Sequence, residues 1–267
     1  MPPGAAFVFY GPFSTNRTVD DATVKVRPET GGFGTEVLGR SISIDGDYNG
    51  DGIQDLVIST LAGDAEVGFG VGAVFLKYGE AGVRLDAEAV DGTMTASLDD
   101  FDARFSGDSN QSGAGEAVGA GDVNGDGVDD MVITAPKYDN RRGIVYVMPG
   151  ANTANYRGEW SLWDADVRLR GNEEGDALGR TLSVVRGADA SRDRVGVDGD
   201  DIADLWVGAA GQNPSEAAFL VNGSIANFND TIGNVSTLGM FPLASYSKSQ
   251  VTIRDAYDGH ITVGTLG

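Results

Sequence analysis

The chain has 267 residues, 40 of them acidic and 19 basic, for a formal net charge of −21. So acidic a surface repels phosphate backbones and anionic lipid, which argues against nucleic acid and membrane surfaces as partners and makes a cation the natural one. With no cysteine, disulfide frameworks, thiolate metal sites and cysteine nucleophiles are excluded, and no apolar run approaches the ~18 residues of a membrane span.

The opening stretch, MPPGAAFVFYGP, lacks the charged start and long apolar segment of a signal peptide, so an export signal would have to lie outside these residues. Within it, GAAFVFYGP (4–12) reads as a single strand. A short alternating strand follows in TVKVRPETGG (23–32), then a Gly-flanked one in VLGRSISI (37–44). After the polar loop DYNGDGIQD (47–55) comes a buried-type run, DLVIST (55–60), and then an alternating strand, GAVFLKYG (72–79). The same series recurs as TASLDDFDARFSG (95–107), EAVGAGDV (116–123), DMVITA (130–135) and GIVYVMPG (143–150). It recurs again as DVRLRGNEEG (166–175), ALGRTLSV (177–184), DLWVGA (204–209) and EAAFLVNG (216–223). Self-similarity at a spacing of about 75 residues marks a repeat architecture. Period-2 alternation and the absence of any sustained helical period predict four short strands per unit and little helix. Residues 250–267, QVTIRDAYDGHITVGTLG, read as the start of a further unit. The expected division is a part-unit at 1–20, full units at about 21–85, 86–155 and 156–230, and a complementary part-unit at 231–267. Four-stranded antiparallel sheets repeated radially make a β-propeller, and pairing strands from the two termini would remove the exposed edges. A β-sandwich with periodic turns is the competing architecture, but it does not account for a polar loop at the same place in each unit.

That loop carries the chemistry. It places Asp47, Asn49, Asp51 and Asp55, and again Asp122, Asn124, Asp126 and Asp130, at positions 1, 3, 5 and 9. Ca²⁺ takes six to eight oxygen ligands, and short Asp and Asn side chains at alternate positions of a curled loop supply them. Ile53 and Val128 stand at position 7, where such loops offer a backbone carbonyl. An EF-hand needs a glutamate at position 12 and flanking helices. Here position 12 is Ile58 or Ile133, inside a β-type run. A turn that binds nothing is the bland competitor, since Asp, Asn and Gly are the commonest turn residues. Three aspartates brought together twice weigh against it, because unneutralised carboxylates repel. A third copy departs from the pattern. With Asp204 at position 9, Asp200 falls at 5, Asp198 at 3 and Ile202 at 7, but Gly196 stands at position 1. Asp189 or Asp193, in an apparent insertion, is placed to supply the missing oxygen. Two Ca²⁺ sites are therefore expected, with a third of weaker or different shape.

GDYNGDGIQDLVIS (46–59), GDVNGDGVDDMVITAP (121–136) and VDGDDIADLWVGAA (197–210), each followed by the GAVF, GIVY or EAAF strand, resemble the FG-GAP repeat of the integrin α-subunit propeller and of many bacterial surface proteins. Phe33-Gly34 supplies the "FG", and Thr134-Ala135-Pro136 stands where the family has "GAP". The resemblance implies a propeller whose loops hold Ca²⁺ through positions 1, 3, 5, 7 and 9. It also implies an extracellular or cell-surface setting, where millimolar Ca²⁺ is available. The family's rings usually have seven blades, so self-assembly, a small closed ring and membership of a larger propeller all stay open.

No catalytic constellation emerges. His260, the single histidine, reads as a turn residue, and Glu173-Glu174 and Asp99-Asp100 as solvated turns. GFGVG (68–72) lacks the lysine of a phosphate loop. Trp160 and Trp163 resemble a sugar-stacking pair but suit packing between sheets better. Two functions follow as expectations: a calcium-binding adhesion or protein-interaction module, or a glycan-binding or polysaccharide-processing domain on the same scaffold. Either would take a protein or glycan ligand at the cell surface or in the matrix.

Overall fold

In the computed structural model, the described residues are 4–28, 37–61, 70–85, 91–97, 99–107, 112–171, 173–185, 202–210, 217–221, 223, 231–234, 241–242, 251–255 and 259–263. The fold is all-β. Besides its strands it has 3-10 turns at Val19–Asp21 and Leu162–Asp164 and a four-residue turn at Tyr138–Arg141.

The first sheet holds β1 (Ala6–Val8), β2 (Val24–Pro28) and β6 (Thr93–Ala96), the last parallel to β2. The second sheet runs antiparallel through β3 (Leu38–Gly46), β4 (Asp55–Thr60), β5 (Ala73–Lys77) and β7 (Ala103–Ser106), with β11 (Gly158–Ser161) added parallel to β7. The third repeats this with β8 (Val118–Gly121), β9 (Asp130–Ala135), β10 (Ile144–Met148) and β12 (Val167–Arg170), and β16 (Thr231–Asn234) parallel to β12. The fourth contains β13 (Leu178–Val185), β14 (Asp204–Ala209), β15 (Ala217–Val221) and β17 (Phe241–Pro242). A separate hairpin pairs β18 (Val251–Asp255) with β19 (Gly259–Val263).

Two features differ from the sequence expectation of four antiparallel strands per unit. The second and third sheets each gain a fifth, parallel edge strand from the chain that follows the next sheet's third strand. The sheets are also offset from the sequence units by one strand: the strand upstream of each Gly-flanked segment pairs backward, β7 with β5 and β12 with β10. Residues 251–255 and 259–263 differ too. An upstream strand and its following Gly-flanked strand lie in different sheets elsewhere, whereas β18 and β19 pair with each other.

Each core lies between neighbouring sheets. Val24, Val26, Leu56, Ile58, Phe75 and Met94 fill the space between the first and second. Val57, Leu76 and Phe105 meet Met131, Ile133 and Tyr146 between the second and third. Val132, Val145 and Leu169 meet Leu205, Val207 and Val221 between the third and fourth. β4 and β9 are buried at every residue because each lies mid-sheet with a core on both faces. A two-layer sandwich has one such core; here four sheets stack face to face in chain order.

Backbone-to-backbone junctions set the stacking. The Ala114 N–H donates to the Val71 carbonyl at 2.9 Å, and the Leu178 N–H to the Arg142 carbonyl at 3.1 Å. The next residues, Gly72 and Gly143, have φ of 82° and 81°, and a Cβ on either would overlap the backbone of Ala114 or Leu178. Gly4 stands equally close to Leu38. Just past the inner junctions, Arg40, Glu116 and Arg180 occupy matching positions. The buried Glu116 carboxylate pairs with Arg40 and with Arg180, the latter at 3.6 Å, tying three sheets together.

Candidate metal centre

The loops at 47–55 and 122–130 join the first two strands of the second and third sheets, where the abrupt start of a fully buried strand forces a tight polar turn. In the first loop, Asp47 accepts hydrogen bonds from the Asp51 and Gly52 amides at 3.1 and 2.8 Å. Asn49 Oδ1 accepts from the Asp51 amide at 3.1 Å, and Asp51 Oδ1 from the Ile53 amide at 2.8 Å. The second loop follows the same plan. Asp122 accepts from the amides of Gly125, Asp126 and Gly127 at 2.7, 3.0 and 2.8 Å. Asn124 Oδ1 takes the Asp126 amide at 2.8 Å, and Asp126 Oδ1 the Val128 amide at 2.9 Å. Positions 1, 3 and 5 therefore curl the backbone and turn their oxygens inward in both copies.

Position 9 is built differently. Asp55, Asp130 and Asp204 are buried, and each receives the amide of the glycine that ends the third strand of its sheet. The donors are Gly79 at 2.9 Å, Gly150 at 3.0 Å and Gly223 at 3.0 Å. The Tyr48 amide adds a second bond to Asp55, and the Val123 and Asn124 amides bond Asp130. These glycines are partners of the position-9 acid that the loop pattern alone does not reveal. The signal was in the sequence as a glycine closing each third strand, at 79, 150 and 223. A Cβ on Gly79 would stand 2.5 Å from the Gln54 carbonyl, and on Gly150 or Gly223 would overlap the carbonyl of Asp129 or Ala203.

Burial pushes the Asp55 carboxyl up to about 6, despite the Gly79 and Tyr48 amides, with Asp47 and Asp51 raising it further. Burial likewise carries Asp130 to about 7, against the bonds from Gly150, Val123 and Asn124 and with Asp126 adding to the rise. Both shifts are those of a carboxylate lacking a counter-charge.

Neighbouring loops touch. The Asp47 amide donates to Asp129 at 3.0 Å, the Ala151 amide to the Tyr48 carbonyl at 3.1 Å, and the Ala203 amide to the Asp122 carbonyl at 2.7 Å. Ile202 packs beside Gly125, and Asp204 holds its position-9 role. Asp189, Asp198 and Asp200 of the third loop lie outside the described residues. Among the described residues no three acidic or histidine side chains stand close enough to cage an ion by themselves. The donor set nevertheless fits Ca²⁺. In each loop it is all oxygen, with one asparagine and one position-7 carbonyl beside the carboxylates, and it includes a buried acid that its neighbours' negative charge perturbs.

Trp160 lies on β11, packs edge-on to Tyr156 at 5.1 Å between centroids and donates its indole N–H to the Arg157 carbonyl. Trp163 is 45% exposed, with the Arg168 guanidinium 4.4 Å above its ring.

A comparison of the whole chain with curated proteins finds no match. Residues 114–148, from the Ala114 junction through β8, the Asp122–Asp130 loop and β9 to the end of β10, match the family model of the FG-GAP repeat.

Proposed function

We propose that the chain is a calcium-stabilised, integrin-like β-propeller module working outside the cell, where it presents loops to a protein partner. The observation that carries this is the equivalence of the loops: at matching places in three sheets a buried aspartate is tied to a strand-ending glycine, and in the second and third sheets it sits behind a curl of inward oxygens. The face-to-face stack with identical glycine junctions supports radial rather than two-layer packing. Asp47, Asn49, Asp51, Asp55 and the Ile53 carbonyl would hold one ion. Asp122, Asn124, Asp126, Asp130 and the Val128 carbonyl would hold a second. Asp204 serves a third if Asp198, Asp200 and Asp189 join it. When bound, the cation supplies the counter-charge that these carboxylates lack. The protein itself supplies fixed oxygens, and the glycine amides hold the position-9 acid in place.

The ions are structural, and the function is interaction. The glycan reading rests on Trp160 and Trp163, but the first is packed on Tyr156 and the second is capped by Arg168. A glycan array read beside a protein-binding screen separates the two. Specific sugar binding lost in Trp163→Ala would favour the glycan domain, and a protein partner without a sugar signal the adhesion module. Binding to the folded state adds RT ln(1 + [L]/Kd), about 2.7 kcal/mol per site at a hundredfold excess. Millimolar Ca²⁺ is thus expected to raise the melting temperature over that in chelator; superimposed curves would overturn the structural-ion reading.

A further inference from the structure

The two complete loops differ in what the neighbouring sheet gives them. Position 1 of each meets position 8 of the loop in the next sheet. At the second loop the contact is main chain alone: the Ala203 amide donates to the Asp122 carbonyl at 2.7 Å. At the first loop the polarity is reversed and a charge enters. The Asp47 amide is now the donor, and the Asp129 carboxylate accepts it at 3.0 Å. Position 8 is Gln54, Asp129 and Ala203 in the three loops, so only Asp129 brings a carboxylate to that place. It belongs to the second loop by sequence yet turns its side chain to the first.

The third sheet clasps the first loop at two further points. The Ala151 amide donates to the Tyr48 carbonyl at 3.1 Å. Gly50, with φ of 69°, lies so close to Asn152 that a Cβ there would stand 2.6 Å from Asn152 Oδ1. Ala151 follows Gly150, whose amide holds the buried Asp130, and Asp129 precedes that same acid. Two adjoining stretches of the third sheet thus carry the groups that hold the first loop.

An amide bonded to a carboxylate is a charge-assisted hydrogen bond, shorter and stronger than a neutral one. Here it fixes the backbone of Asp47, and that backbone aims the side chain whose oxygens take the Asp51 and Gly52 amides at 3.1 and 2.8 Å. The curl of the first loop is therefore anchored on a different sheet. Groups that orient a metal ligand without touching the ion are commonly worth about 10–100-fold in metal affinity. Resting on the ion sites proposed above, we infer that Asp129 positions Asp47 for the first ion, so that this site is completed by the third sheet. The second site, whose position 1 has only the main-chain contact from Ala203, does not depend on Asp129.

Two variants separate a fixed acceptor from a nearby negative charge: Asp129→Asn keeps an acceptor oxygen and drops the charge, whereas Asp129→Ala drops both. Asp130→Asn removes the second site and Asp55→Asn the first, so each site can be titrated with Ca²⁺ in the background lacking the other. With Asp130→Asn, adding Asp129→Ala should weaken binding at the first site about tenfold, and adding Asp129→Asn instead should restore most of that loss. With Asp55→Asn, adding Asp129→Ala should leave the second site unchanged. A metal-free reading accompanies these. In chelator, the Asp47 amide should exchange with solvent several-fold faster in Asp129→Ala than in the native chain, by NMR, and stay slow in Asp129→Asn. Equal losses in the alanine and asparagine variants would assign Asp129 to charge alone and overturn the inference. A loss at the second site, or an Asp47 amide whose exchange Asp129→Ala does not change, would overturn it too. A native chain that binds no Ca²⁺ at millimolar concentration would sink the ion reading and this inference with it, whereas native binding that Asp129→Ala leaves intact would refute this inference alone.

Discussion

Replacing Gly143 with alanine tests the junction between the third and fourth sheets. Its φ of 81° costs an alanine about 1–2 kcal/mol. The added Cβ meets the Leu178 backbone on both sides, and no side-chain rotation can relieve an overlap with main chain. Moving Leu178 away stretches its bond to the Arg142 carbonyl and the neighbouring one from Ala177 to Arg141, 3.1 and 2.6 Å, each worth about 1 kcal/mol. The sum is about 3–4 kcal/mol, a large share of the ~5–15 kcal/mol that holds a typical domain together. Gly175→Ala is the matched control: its φ is 90°, but a Cβ there meets nothing within 4 Å, so only the strain of about 1–2 kcal/mol applies. Urea unfolding followed by tryptophan fluorescence should show Gly143→Ala about 2 kcal/mol less stable than Gly175→Ala. Equal losses would mean that the glycine junction does not lock the sheets.

Two further outcomes follow from the charges. Glu116→Gln removes the carboxylate shared by Arg40 and Arg180. Because both arginines are partly exposed, a loss of about 1–2 kcal/mol is expected, shrinking in high salt; a salt-insensitive loss would assign Glu116 to packing instead. The pH dependence in chelator has a defined sign. Asp55 and Asp130 have folded values of about 6 and about 7, above the ordinary 3.8. The fold thus favours their protonated forms. That contribution is full below pH 3.8 and lost as the pH rises through 6 to 7. The melting temperature without metal should fall from pH 5 to pH 8, and Asp130→Asn should remove part of the fall. With saturating Ca²⁺ the fall should disappear, because binding needs both acids ionised. An identical pH profile in Asp130→Asn would refute the assignment.

Much of this molecule is legible from local pattern. The runs DLVIST and DMVITA announce strands covered on both faces, and they are buried throughout. GAVFLKYG and GIVYVMPG yield β5 and β10 within a residue or two of their patterned ends. The polar loops form where the spacing puts them, with positions 1, 3 and 5 curling the backbone as short oxygen-bearing side chains do. Pairing partners were not legible. β6, β11 and β16 are four-residue segments whose place is set by a distant edge, β2, β7 or β12, and no local period encodes that choice. The one-strand offset has the same origin, since β7 and β12 could pair forward or backward on alternation alone. The strand that carries Trp160 was not expected for this reason; it exists only because β7 offers it an edge. The glycines at 79, 150 and 223 were visible as turn punctuation, but their role as donors to a buried acid needs three dimensions.

Calcium titration by calorimetry of the native chain beside Asp55→Asn and Asp130→Asn bears most directly on the central claim. Two or more ions per chain are expected, with each substitution abolishing or weakening at least tenfold one site and sparing the other. Absence of binding heat at millimolar Ca²⁺, or unchanged titrations in both variants, would contradict it.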